Sequence, residues 1–298
     1  MCGIVGLYLK NTDMQSKLGA LFAPMLIAMT DRGPDSAGFA IYRNPVGENE
    51  TKFTLASDDA KTDWESLASE LEKKLACAAR VDLHGDHAVM VTESDPQAVQ
   101  NWLAEFRPTI RIVGSGRAIE IFKQTGLPKD VAEQFKLATA HGSHAIGHTR
   151  MATESAVSPA HAHPFTAGED FCLIHNGSLS NPYSIRRKLE SRGIEFETDN
   201  DTEAGCRFLE WRMREGDTLE QAIETCFSEL DGFFTFLMAT NDRMVLVRDA
   251  FACKPAIAAE TDDYVAVASE YRALAHLPNI TEAHVFEPEP EQIYSWSV

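Results

Sequence analysis

Apolar and β-branched residues from Cys2 to Leu9, with Ile4 and Val5 at the centre and glycines at 3 and 6, predict a buried strand with close backbone neighbours. Leu18, Leu21, Phe22, Met25, Leu26 and Met29 then recur at helical spacing between Gln15 and Met29. The run Asp31–Arg32–Gly33–Pro34–Asp35 breaks that helix and leads into a strand through Phe39, Ile41 and Tyr42. Between 51 and 115 the order changes: strand (Lys52–Leu55), helix (Trp64–Cys77), strand (Arg80–Leu83), strand (Ala88–Thr92), helix (Pro96–Phe106) and strand (Thr109–Val113). This βαββαβ order predicts an inserted ferredoxin-like subdomain. Helical segments are expected near Arg117–Gln124 and Asp130–Phe135.

Beyond Gly147 the pattern predicts a strand to Ala152, a polar loop to His163 and a strand over Phe171–His175. Helices follow at Pro182–Arg192, Asp201–Arg214 and Leu219–Leu230. Short strands are expected at Phe233–Met238, Met244–Val247, Ala256–Ala259 and Val265–Ser269, ahead of an acidic, proline-containing tail. No repeat and no low-complexity segment interrupts this order.

Composition narrows the classes. Hydrophobic residues are 44% and charged residues 24% of 298, the balance of an ordinary globular chain. The net charge of −18, with no basic stripe, argues against nucleic acid and against an anionic membrane surface as partners. No run approaches the roughly 18–20 apolar residues of a membrane helix. Six cysteines, at 2, 77, 172, 206, 226 and 253, lack the spacing of a zinc ribbon or a disulfide framework. With no leader pattern at the N-terminus, a cytoplasmic location is expected.

Cys2 is a chemical opportunity. Removing Met1 leaves a thiol and a free α-amine on one residue, and an α-amine titrating near about 7.7–8.0 can take the thiol proton. The thiolate is the competent nucleophile. An incidental second residue is the bland alternative, and Cys2 alone does not exclude it.

Several blocks, in order, decide between these. Cys2, Gly3, Ile4, Val5 and Gly6 open the chain; Arg32, Gly33, Pro34, Asp35, Ser36, Ala37 and Gly38 follow. Then come Gly147, His148, Thr149 and Arg150 with Ala152 and Thr153; His163 and Pro164; His175, Asn176, Gly177 and Asn181; and Asp201, Thr202 and Glu203. Arg248, Asp249, Lys254, Pro255, Ser269 and Glu270 complete the series. Together they resemble the class II glutamine amidotransferases of the N-terminal nucleophile hydrolase superfamily. The resemblance covers about 1–45 and 140–296 and leaves 51–115 outside.

The resemblance implies an α+β fold over 1–298, a four-layer αββα sandwich with the ferredoxin-like unit inserted at 51–115. It implies Cys2 as the nucleophile, Asn176 and Gly177 as the oxyanion hole, Thr153 on the substrate carboxylate and Arg32 in support of the N-terminal loop. The residue chemistry agrees. Glutamine is a zwitterion with an amide, so Arg150 suits its carboxylate as a bidentate clamp and Asp201 its ammonium. Asp201 is equally suited to cap the following helix, and Asn-Gly is also an ordinary turn dipeptide. Met151 and Glu154 depart from the family, which usually carries an aromatic at the first position and sometimes histidine at the second.

Two weaker constellations compete. His141, His144 and His148, with His161 and His163 nearby, raise a metal site, but Gly142 and Gly147 break the helix that would align the first three, and no metal is assigned. Gly114, Ser115 and Gly116 ahead of the expected helix suggest a phosphate nest, but Ile119 stands where a dinucleotide fingerprint needs glycine. No cofactor is assigned.

The expected activity is hydrolysis of L-glutamine to L-glutamate and ammonia through a Cys2 thioester. Because the resemblance reaches no synthase half, ammonia is expected to pass to a synthase subunit bound in trans. The insert, Met151 and Glu154 together most resemble the glutaminase-like subunit of N-methylglutamate synthase, a relative of glutamate synthase, whose partners include a flavin-binding, glutamate-synthase-like subunit. Two other classes remain: a non-catalytic glutamine-sensing or scaffolding subunit, which need not keep Cys2 or Asn176, and an N-terminal cysteine amidase of other specificity, which need not keep Arg150 with Asp201. The insert, exposing a sheet face or edge, is expected to dock the partner. Intact mass of the purified active protein should show Met1 removed; activity in protein that retains Met1 would eliminate the α-amine as base.

Overall fold

The computed structural model describes residues 2–59, 61–152 and 156–297. The chain opens with β1 (Gly3–Leu9), α1 (Leu18–Ala28) and β2 (Ser36–Tyr42), with 3-10 turns at Thr12–Lys17 and Thr30–Arg32. Residues 51–116 follow as β3 (Thr51–Ser57), α2 (Trp64–Leu75), β4 (Ala79–His84), β5 (His87–Thr92), α3 (Pro96–Phe106) and β6 (Ile110–Gly116). Next come β7 (Ile119–Thr125), α4 (Pro128–Gln134), β8 (His144–Arg150), β9 (Phe165–Thr166) and β10 (Cys172–Leu179). Three helices, α5 (Pro182–Glu190), α6 (Asp201–Arg214) and α7 (Leu219–Glu229), lead to β11 (Gly232–Ala239) and β12 (Arg243–Arg248). The chain closes with β13 (Ile257–Glu260), β14 (Tyr264–Ala268), β15 (His284–Phe286) and β16 (Tyr294–Ser297).

Among the described residues three sheets result, of order β15-β13-β14-β1-β8-β2-β7, β16-β12-β11-β10-β9 and β4-β5-β3-β6. Strand alternation builds the layers. Val5, Leu7 and Leu9 of β1 face Phe22, Leu26 and Met29 of the α1 region, while Ile4 and Tyr8 face the second sheet. Ile4 and Tyr8 share a core with Ile174, Leu237 and Leu246. The far face of the second sheet, Leu173, Phe234, Phe236 and Val245, packs on Ile185, Phe208, Leu209 and Ile223 of the helices α5 to α7. A separate core, Phe53, Leu55, Trp64, Leu71, Met90 and Trp102, closes residues 51–116.

The other face of the third sheet is not free. Val89 of β5 joins the α1 core, and the His87 ring sits edge-on to Phe135 at 4.8 Å. Thr54 Oγ1 accepts the Ile121 N–H (3.2 Å), occupying a donor on the edge of β7. Lys52 Nζ and Arg43 Nε both pair with the buried Glu120, at 3.0 and 2.7 Å. Of the sheet face or edge expected to be exposed, the face packs on the body and the β4 edge remains.

Three further expectations change, and the nest that was set aside proves to have an internal occupant. Residues 117–124 are not helical: Ile119 and Ile121 point into the core between the sheets and Phe122 into the α1 core, the alternation of a strand. The Gly114–Gly116 nest is filled from within, because the Asp170 carboxylate accepts the N–H groups of Arg117, Ala118 and Ile119 at 2.8–2.9 Å. The acidic tail supplies β15 and β16, one strand to each of the two larger sheets. Asn200, not Asp201, caps α6, accepting the Thr202 N–H at 2.9 Å.

Replacing Lys52 with Met should cost about 1–3 kcal/mol, since Glu120 stays buried with one charged partner fewer. A urea midpoint equal to wild type would show that Arg43 alone satisfies Glu120.

Candidate active site

The first described residue is held by its carbonyl. Cys2 O accepts from Arg32 Nε at 2.9 Å and from Asn176 Nδ2 at 3.2 Å. Arg32, 8% exposed, is fixed in turn by Glu270, with Nη1 to Oε1 at 2.8 Å. Next along β1, the Ile4 N–H donates to Ser269 Oγ and the Ser269 N–H to Ile4 O, both at 3.0 Å. Gly3 leaves no room for a side chain: a Cβ there would lie 2.8 Å from Thr149 Oγ1. The Cys2 thiol is half-buried, its Sγ 3.9 Å from Met151 O.

The strand register sets Arg150 beside this end. Gly3 pairs with Thr149 across β1 and β8, so Arg150, the last residue of β8, is level with Cys2. Arg150 is buried and donates from Nη1 to Ala156 O at 3.0 Å. Asp35 ties down the turn after it: its N–H donates to Arg150 O (3.1 Å) and its Oδ2 accepts the Ala152 N–H (2.8 Å). Thr153 and Glu154 lie outside the described residues.

Asn176 and Gly177 lie on β10 opposite Thr235 and Phe234. Gly177 has φ +155°, and a Cβ there would fall 1.8 Å from Phe233 O, so only glycine fits. Asp201 opens α6, where its Oδ2 accepts the Leu179 N–H at 2.8 Å, tying the helix start to the end of β10. Cys2, Arg32, Arg150, Asn176, Gly177 and Asp201 thus converge through β1, β8, β10 and the start of α6.

Beneath them lies a cluster that residue-by-residue reading left without a role. The rings of His148 and His163 are 4.0 Å apart, and His148 Nε2 donates to His175 O at 3.0 Å. Thr202 Oγ1 touches His163 Nε2 (2.9 Å) and His175 Nδ1 (3.0 Å). Burial drives all three imidazoles towards neutrality, His148 to about 3. All four residues stood in the matched motif blocks; what hid the cluster was their separation along the chain. The other histidines of the suspected metal group diverge. His144 stacks on Tyr42, His161 pairs with Asp199 and His141 with Arg43. Among the described residues no group of His, Cys, Asp and Glu has metal-binding geometry.

Residues 148–276 match the glutamine amidotransferase domain model. Over 300 residues the chain is 50% identical to the glutamine amidotransferase-like protein GlxB of Rhizobium meliloti (strain 1021), covering 99% of this chain and 98% of that protein. The chain belongs to the class II glutamine amidotransferase family. A putative glutamine amidotransferase of Methanothermobacter thermautotrophicus is 30% identical over 99% of both chains. The solved glutamine phosphoribosylpyrophosphate amidotransferase of B. subtilis superposes with TM-score 0.62 at 20% identity, covering 99% of this chain and 49% of that one. That likeness concerns the fold, and this amidotransferase chain spans about half the length of the solved enzyme. Among the described residues no helix is long and apolar enough to cross a membrane.

The buried histidines make the amidotransferase acid-sensitive. Unfolding returns each ring to about 6.5. Below that the unfolded chain binds protons that the folded one refuses, so stability is full above this value and is lost as pH falls towards the folded values. The urea midpoint should drop between about pH 7 and pH 5, where few carboxylates titrate, and His148→Phe should flatten the drop; a midpoint constant over that window would contradict the neutral cluster.

Proposed function

We propose that this chain is the glutaminase subunit of a glutamine-dependent amidotransferase, with Cys2 as an N-terminal nucleophile. The observation that supports this reading is the double hold on the Cys2 carbonyl by Arg32 and Asn176, which keeps Cys2 beside Arg150 and β10. The neutral α-amine takes the thiol proton, and the thiolate attacks the side-chain amide carbon of glutamine. The oxygen of the tetrahedral intermediate is met by the Asn176 side-chain amide and the Gly177 N–H. The proton returns to the departing nitrogen, ammonia leaves, and a γ-glutamyl thioester remains on Cys2. Water then adds to the thioester with the amine as base again, releasing glutamate and the thiol. Arg150 and Thr153 hold the substrate carboxylate and Asp201 its ammonium.

The three packed cores support a four-layer αββα sandwich. The order β4-β5-β3-β6 supports a ferredoxin-like insert whose outer strand docks a partner. Hydrolysis alone would waste the ammonia, so the partner is a synthase subunit in trans. We assign it to an N-methylglutamate synthase-type assembly with a flavin-binding, glutamate-synthase-like subunit.

Glutamate release from glutamine tests the roles. Arg150→Lys keeps the charge but loses the bidentate fork, so KM should rise with kcat little changed. Asn176→Ala should lower kcat by about 10²–10³, the effect of losing one oxyanion donor. The opposite pattern would mean that clamp and oxyanion hole have been exchanged.

A further inference from the structure

We propose that Thr202 is a positioning residue for the glutaminase reaction: its hydroxyl is the joint that holds the Asn176–Gly177 segment against the start of α6 and the His163 segment. This inference rests on the glutaminase reading above. Thr202 is 1% exposed, and its N–H is already taken by Asn200 Oδ1 at 2.9 Å. Its hydroxyl oxygen has three neighbours: His163 Nε2 at 2.9 Å, His175 Nδ1 at 3.0 Å and Asp201 Oδ1 at 3.4 Å.

Proton counting fixes what this joint does. A hydroxyl has one hydrogen and two lone pairs, so of three neighbours it donates to one and accepts from two at most. The carboxylate only accepts, so in every arrangement that uses both short contacts at least one imidazole donates to Thr202. Burial keeps both rings neutral, so each carries a single N–H and its tautomer is set by the direction of that bond. His148 fixes a second point, since its Nε2–H donates to His175 O. His175 is thereby held at ring and carbonyl, and the next two residues are Asn176 and Gly177.

The other arms are anchored independently. Lys123 Nζ, buried, donates to Ala162 O (3.0 Å) and Pro164 O (3.2 Å), the carbonyls on either side of His163. Asp201 is held at its second oxygen by the Leu179 N–H, three residues beyond Asn176. Asp201 therefore keeps its place without the long Thr202 contact, whereas Thr202 is the partner within hydrogen-bond distance for His163 Nε2 and for His175 Nδ1, which has Asp201 Oδ1 farther off at 3.9 Å. Removing the hydroxyl loosens the oxyanion donors more than the ammonium site, so the loss falls on kcat.

The test compares wild type, Thr202→Val, Thr202→Ser and His163→Phe as full-length chains. Two readouts are used: glutamate release, and alkylation of Cys2 by a diazoketone analogue of glutamine, which is protonated at the diazo carbon and loses N2 as that carbon joins Sγ. Thr202→Val keeps the β-branched shape and should lower kcat and the maximal alkylation rate by about 10- to 100-fold, the scale of a misplaced catalytic group. KM and the analogue's half-saturation should move less than about threefold, and Thr202→Ser should restore kcat to within about threefold of wild type. If Thr202→Val does not fold, His163→Phe, which keeps the ring over His148 and removes the Nε2 contact with Thr202, should show the same kcat loss. Full turnover by whichever of these two variants folds overturns the proposal. So does equal impairment of the Val and Ser variants, or a rise in KM with kcat intact. A wild-type chain that the analogue fails to label at Cys2 overturns the glutaminase reading instead.

Discussion

The hold on the Cys2 carbonyl is the constraint from which the site follows. Residues at the start of a chain are ordinarily mobile. Here two donors from distant segments, Arg32 Nε and Asn176 Nδ2, meet on one oxygen. The hydrogen bonds between Ile4 and Ser269 hold the next turn of strand against β14. Each donor has its own support: Arg32 is braced by Glu270, and Asn176 is buried on β10, opposite Thr235 of β11. Cys2 is therefore as well placed as a residue in the middle of a strand.

The sheets make this convergence possible. β1 and β8 lie side by side in the first sheet, and β10 lies in the second, so the site forms where the ends of strands from two layers meet over the Ile4, Ile174 and Leu237 core. Interdigitated cores of this kind resist small shifts. Polar groups are then concentrated just below the site, with His148, His163, His175 and Thr202 buried together and supplying hydrogen bonds that apolar residues could not. The low dielectric that keeps these rings neutral also strengthens the bonds among them. The same arrangement leaves the fold exposed to acid.

The residues of the candidate site stood out in the sequence because they sit in short ordered blocks and carry groups that suit a zwitterionic amide; of them Thr153 lies outside the described residues. The continuous apolar run of β1 and the helical spacing in α1 were equally legible, being local. What escaped was non-local. Residues 117–124 hold a mixed pattern that becomes a strand only because β2 is available as a partner. The tail strands β15 and β16 depend on edges that other segments create. Asn200 took the capping role from Asp201, leaving that carboxylate for the Leu179 N–H, a choice two adjacent capping residues cannot reveal. The packing of the third sheet on β7 and α4 could not be read from its βαββαβ order, which says nothing of which face is covered.

The most direct test of the account is acid quenching during turnover with glutamine, followed by mass analysis of the N-terminal peptide. The account predicts a peptide beginning at Cys2 that carries one glutamyl group as a thioester, absent after Cys2→Ala. Turnover with no adduct on Cys2, or with the glutamyl group on another cysteine such as the exposed Cys253, would contradict it.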